Sequence, residues 1–345
     1  MKKILLITEK RSITESLLSE IMNENDEMFV GAEIWVCNLN YGSAPIYEYP
    51  KDVKYKEYPK TNDLKLKWNP NFSVMNKDKG NFNFDNLLVK QATKRGDFNQ
   101  HFDALILCQD CDYAGAFFAS SFLELVYGDD YEGNFGKVFY LEYFNMSEIY
   151  KGFYDNQKEK RERFITRSNA GKFLKFFQYN FNFNSSMFLS EILVKLNIKT
   201  DINISKYELQ LIHILFDDKK IEKFMVGKNK ELTDINILEL MTNYIGSGKY
   251  KDIYNGGIGG VATRMKIVKN MFERGFLKRE GKVLLRTKLG YDFFKLLNKR
   301  TFDIDLPFRV NSWVREVEEG KDNYGKVEKY IYNFFVEQKR KNRKM

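Results

Sequence analysis

The chain has 345 residues, enough for two domains or one large one, and 43% of them are hydrophobic, which excludes a disordered chain. Lys and Arg number 56 against 47 Asp and Glu, and the resulting +9 favours a polyanionic partner, because neutralising phosphates releases counterions. No apolar run approaches the roughly 20 residues of a membrane span, and Cys37, Cys108, Cys111, His101 and His213 supply neither a zinc site nor a disulfide framework.

Residues 3–8 form a continuous apolar run, the mark of a strand buried on both faces and not of a signal peptide. A reducing cytoplasm is the expected compartment. Ser12 is placed to open a helix with Glu15 completing a capping box, and Ile13, Leu17, Leu18, Ile21 and Met22 follow at helical spacing. A second strand is expected over 29–36, and residues 50–100, polar and rich in Asn, Lys and Asp, read as long loops with short elements. Strands over 102–108 and 136–141 flank a helix over 114–126. Strand, helix, strand in this order predicts an open, largely parallel α/β sheet over 1–150.

Beyond 150 the chain turns mostly α-helical, with helices expected over 161–196 and 206–224. A glycine-rich stretch, 256–260, precedes a helix whose apolar face is Met265, Val268, Met271 and Phe272. Gly275 ends that helix, and a hairpin follows over 276–285 with its turn at Glu280-Gly281. Helix, helix, hairpin predicts a winged-helix-like part over about 229–300 of a domain spanning 151–323. A C-terminal helix and a solvated basic tail close the chain over 324–345, with Lys339, Arg340, Lys341, Arg343 and Lys344 available to touch nucleic acid. Phe, at 30 residues, is read as mostly core, with a few rings available to stack on unpaired bases.

Two groups of residues carry chemistry. Glu9 falls just past the end of the first strand, and Asp110 and Asp112 just past the strand over 102–108. Ligands of open α/β sheets bind outside the carboxyl ends of strands. Three carboxylates converging there would hold Mg²⁺, a hard ion that prefers oxygen ligands. Asp-x-Asp alone is more often a solvated turn; Glu9 at the matching strand end moves the balance towards a site. The second group is the glycine-rich turn: Gly257 and Gly259 entering a helix present free backbone N–H groups to a phosphate, and Thr263, Arg264 and Arg274 add side chains.

These motifs resemble those of the type IA DNA topoisomerases. Ile4 to Ser12 looks like the strand and glutamate of their Toprim domain, and Asp110-Cys111-Asp112-Tyr113-Ala114-Gly115-Ala116 like its DxDxEGE, with Ala114 in place of the third acid and Ala116 in place of the following glutamate. Gly257 to Arg264 resembles GIGTPATR, and Phe272 to Arg279 resembles ERGYIxR. Gly281-Lys282 with Thr287 to Gly290 follows GKxLxPTxxG, and Leu306-Pro307 through Trp313 to Lys321 resembles the closing segment. Arg167-Ser168-Asn169-Ala170 looks like RxNA. Ser205 to Gln210 sits where the family has SxGRVQ, with Glu208 replacing an arginine and predicted to repel phosphate there.

The resemblance implies a Toprim-like open sheet followed by a helical DNA-binding domain. It implies metal ligation by Glu9, Asp110 and Asp112, weakened by the lost acids. It also implies DNA contacts at Lys10, Arg167, Gly257, Gly259, Thr263, Arg264 and Arg274. The inserted domains that carry the family's nucleophilic tyrosine have no counterpart: about 45 residues separate Gln210 from Gly256, and Tyr244 and Tyr250 lie there without the expected arginine. Three functions stay open. The first is a topoisomerase-like protein that binds single-stranded or melted DNA without strand passage. The others are a Mg²⁺-dependent Toprim nuclease or nickase, and a divergent topoisomerase completed by another chain.

Overall fold

A computed structural model describes residues 2–9, 11–23, 27–39, 46–51, 53–67, 72–75, 88–90, 101–110, 112–143, 153–198, 204–225, 231–244, 257–303 and 305–345. The chain forms two compact units. One comprises Met1–Tyr49, Leu64–Lys175 and Val317–Gly320; the other comprises Pro50–Asp63, Phe176–Glu316 and Lys321–Met345. Among the described residues no helix is long and apolar enough to cross a membrane.

The first unit is an α/β layer structure. Its strands are β1 (Lys3–Thr8), β2 (Glu33–Asn38), a short antiparallel pair β3 (Ile46–Tyr47) and β4 (Leu66–Lys67), β5 (Phe72–Met75), β6 (Leu88–Lys90), β7 (Phe102–Asp110) and β8 (Phe135–Tyr143). The main sheet runs β6-β5-β2-β1-β7-β8. β1 pairs in parallel with β2 and β7, and β7 with β8, while β5 and β6 join antiparallel at the far edge. The expected open sheet is therefore parallel through four strands.

Period-two alternation explains why β1 and β7 read as unbroken apolar runs. Ile4, Leu6, Ala104 and Ile106 face Ile13, Leu17 and Leu18 of helix α1 (Arg11–Asn23). Leu5, Ile7, Leu105 and Leu107 face Ala119, Phe122 and Leu123 of helix α2 (Tyr113–Tyr127) on the other side. Two expectations shift. α1 already includes Arg11, so Ser12 lies inside the helix and does not cap it. β7 extends to Asp110, so that acid ends the strand and only Asp112 follows it.

The second unit is mostly helical. Helix α3 (Gln157–Lys195) contributes its residues from Phe176 onward. Phe181 packs against Phe334 and Phe335, and Phe188 stacks on Phe335, so much of the dense phenylalanine content is core. The helix expected over 206–224 is two, α4 (Lys206–Leu215) and α5 (Asp218–Met225), because Phe216 leaves helical geometry at φ −101° and ψ 1°. Helices α6 (Asp234–Asn243) and α7 (Val261–Glu273) follow. A hairpin of β9 (Leu277–Glu280) and β10 (Val283–Arg286) comes next, turning through Gly281 at φ +60°.

Helices α8 (Lys288–Leu296), α9 (Leu306–Glu318) and α10 (Tyr324–Asn342) follow. The basic tail is not simply solvated. Lys339 is buried and donates to the carbonyls of Lys56 and Tyr58, and Lys341 donates to those of Lys295 and Leu297 at 2.7 and 2.9 Å. Carbonyl groups left over by loops and helix ends take up these ammonium donors.

Candidate functional site

At the carboxyl ends of β1 and β7 the chain gathers acids and cations. β1 and β7 end side by side, with Thr8 opposite Cys108, which brings Glu9 to the turn that enters α2. Asp112 is the N-cap of α2, and its Oδ1 accepts the Gly115 N–H at 2.8 Å. A Cβ at Gly115 would stand 2.7 Å from Glu9 Oε2 and 3.1 Å from the Asp110 carbonyl oxygen. The absence of a side chain at Gly115 leaves room for the Glu9 carboxylate over this first helical turn. Glu9 and Asp112 thus converge on Gly115.

Asp110, the last residue of β7, lines a void of about 20 Å³ with Gln109, Glu142, Lys160 and Arg167, room for a single water. Among the described residues no three His, Cys, Asp or Glu side chains are grouped so as to hold a metal ion. One oxygen of Asp112 caps its own helix.

Sequence reasoning missed the cations beside these acids. Arg163 clasps Glu142 through two bonds of 2.9 Å, and Arg167 adds a third at 2.7 Å. Burial pushes the Glu142 carboxyl up, but the two guanidinium groups outweigh it and hold the group below the usual carboxylate range. Arg167, expected on DNA, is committed to Glu142 and only 23% exposed. Burial lowers the Lys175 pKa while Asp112 and Glu9 oppose the shift, so this ammonium sits in the field of both acids. Lys10 lies outside the described residues.

The glycine-rich turn is in the second unit. Gly257 and Gly259 adopt φ +66° and +72°, the left-handed region that favours glycine. Ile258 N–H donates to the Met241 carbonyl at 2.7 Å and the Ile258 side chain is fully buried, so the turn is pinned to the end of α6. Gly260 then caps α7 with no side-chain acceptor, and no acid stands in the first turn. The positive end of this helix is left without a carboxylate of its own. Exposed Thr263, Lys266 and Lys269 follow, and Val261 and Met265 are 79% and 60% exposed. Met265, expected in the apolar face with Val268 and Met271, faces out. Arg264 braces the turn, its Nη1 donating to Thr242 Oγ1 at 2.9 Å.

Arg274 does not reach a surface where DNA would lie. Its side chain is 2% exposed and paired with Glu208, itself 1% exposed. Glu208 also accepts from Asn270 at 3.2 Å and from its own N-cap, Ser205 N–H, at 2.8 Å, closing a capping box with Ser205. Glu208 therefore does not repel phosphate at a groove surface; it is an interior carboxylate neutralised by Arg274. Tyr244 is 4% exposed, and burial pushes its hydroxyl well above the ordinary phenol range, aided by Asp305 and Asp303. A buried phenol so hard to ionise is poorly suited to attack a phosphate. Tyr250 lies outside the described residues. No protein-family model matches the chain, and no curated protein matches it.

Proposed function

We propose that the chain is a type IA topoisomerase-like DNA-binding protein that holds single-stranded or melted DNA without passing strands. The observation that carries this reading is the α7 N-terminus. A glycine-rich turn presents an uncapped helix end free of acids, and exposed Thr263, Lys266 and Lys269 continue from it. Backbone N–H groups and a helix dipole suit phosphate, and lysines add sequence-independent attraction. Exposed Val261 and Met265 offer apolar contact to unpaired bases. The strand order of the first unit supports reading it as Toprim-like, and α6, α7 and the β9–β10 hairpin support a winged-helix-like part.

The acids of the first unit fit this reading better than a metal nuclease. Glu9 and Asp112 close on Gly115 beside Lys175, and Asp110 stands with Lys160 and Arg167. Glu9 and Asp112 already have the Lys175 ammonium in their surroundings.

Binding of a labelled single strand, followed across a range of salt, tests the proposal. Lys266→Ala/Lys269→Ala is expected to weaken binding and to flatten the slope of log K against log salt by about 1.4, two contacts at about 0.7 each on a single strand. An unchanged slope would remove α7 from the interface. Supercoiled and single-stranded DNA incubated with Mg²⁺ or EDTA, beside Asp110→Asn/Asp112→Asn, should be neither cut nor relaxed. Metal-dependent cutting lost in that variant would establish the nuclease instead, and a covalent protein–DNA adduct the topoisomerase.

A further inference from the structure

Three helices of the second unit line an open cleft of about 360 Å³, with Phe177 and Gln178 from α3, Lys206 and Tyr207 from α4, and the exposed Thr263 and Lys266 from α7 among its walls. Lys206 is only 7% exposed. Its Nζ lies 5.0 Å from the Phe177 ring centroid and 4.9 Å from that of Tyr207, and among the described residues no carboxylate pairs with it. The acid closest to it in sequence, Glu208, is already neutralised by Arg274. Burial alone depresses the amine to about 7.

An uncompensated ammonium in a protein interior is costly, and two aromatic faces repay only part of that cost. With Lys266 the cleft carries two cations and no free acid on its walls. That balance matches a dianion better than the single charge of an internal phosphodiester. A phosphomonoester carries about two charges at neutral pH, and the Thr263 hydroxyl and Gln178 amide add donors for its oxygens. The volume exceeds what a bare phosphate needs and falls in the range of small-ligand sites, with the partly exposed Tyr207 at its wall.

We propose that this cleft binds a nucleotide bearing a terminal phosphate, held by Lys206 and Lys266. The choice of a nucleotide rests on the DNA-binding reading above; the anion site itself rests on Lys206. The same chemistry has two sources, a free nucleoside monophosphate or the phosphorylated end of a strand.

Affinities would be measured for deoxynucleoside monophosphate, the unphosphorylated deoxynucleoside, and oligonucleotides ending in phosphate or hydroxyl, on the full chain and on Lys206→Met. The variant is expected to fold, since it removes a buried charge and keeps the side chain's length. Its gain in stability should be largest below pH 7, where the folded amine is charged, and fade as pH rises towards the ordinary lysine value. The wild-type chain is expected to favour the phosphorylated member of a pair about tenfold, as a charge-assisted contact implies. Lys206→Met should abolish that preference. Preference within the monophosphate pair identifies a free-nucleotide site, and preference confined to oligonucleotides a strand end. Equal affinity for phosphate and hydroxyl in both pairs, or a preference that survives Lys206→Met, overturns the proposal. If no oligonucleotide binds while the monophosphate does, the DNA-binding reading fails and the anion site stands.

Discussion

Glu208→Ala is expected to destabilise the second unit by about 3–5 kcal/mol, among the largest effects of any single side-chain removal in this chain. The reason is the asymmetry between making and breaking a buried pair. Glu208 and Arg274 are each almost wholly enclosed, and the carboxylate also receives the Asn270 amide and the Ser205 N–H. Removing the acid strands a guanidinium that cannot shed its proton, leaves the Asn270 amide without this acceptor, and dissolves the capping box at the start of α4. Glu208→Leu/Arg274→Met should recover most of the loss, because apolar groups of similar shape replace a buried pair at little net cost.

Chemical denaturation of the four members of that cycle measures the coupling, expected at about 2 kcal/mol or more. The exposed Lys269–Glu273 pair at 3.3 Å serves as the contrast, since solvated helix pairs contribute about 0.3–0.5 kcal/mol. A loss below about 1 kcal/mol on Glu208→Ala would mean that water reaches the pair and that the capping box alone orders α4.

The same pair shows where sequence reasoning succeeds and where it stops. Ser12, the position expected to cap a helix, does not, whereas Ser205-x-x-Glu208 has the letters of a capping box and forms one. That its outer face would be covered by Arg274, 66 residues away, cannot be read from them. Position 208 was interpreted through a family arginine, and a glutamate there suggested a charge facing DNA; burial reverses that meaning. The parallel core was legible because strands buried on both faces leave unbroken apolar runs, as in β1 and β7. Glu142 was missed for the opposite reason: its partners Arg163 and Arg167 lie 21 and 25 residues on, a spacing that no local pattern encodes. Lys206 reads like any other among 56 basic residues, and only the packing of three helices around its cleft sets it apart. Met265 shows the limit of periodicity. It shares helical spacing with Val268 but is 60% exposed, which suits a helix that serves a ligand on one side and a core on the other.

Gly257→Ala is the second large effect expected, and Gly259→Ala beside it separates two causes. Both glycines have positive φ, so either substitution carries the left-handed penalty of about 1–2 kcal/mol. At Gly259 the new Cβ would come closest to the Ile267 Cδ1 atom at 3.3 Å, a flexible methyl that can give way, with Thr263 at ordinary contact distance. At Gly257 it would stand 2.0 Å from the Met241 carbonyl oxygen and 2.8 Å from that of Thr242, both main-chain atoms at the end of α6. No rotamer relieves that overlap. The turn must move off α6, breaking the Ile258–Met241 bond, exposing the buried Ile258 side chain and withdrawing the Arg264 brace.

Loss of one hydrogen bond and one buried aliphatic side chain adds to the conformational penalty, so Gly257→Ala should cost about 4 kcal/mol or more against about 1–2 for Gly259→Ala. Single-strand affinity should follow the same order, because the turn carries the uncapped end of α7. Equal thermal midpoints for the two variants would mean that the glycines serve only their dihedral angles. A Gly257→Ala protein that melts early yet keeps full DNA affinity would move the phosphate seat away from this helix.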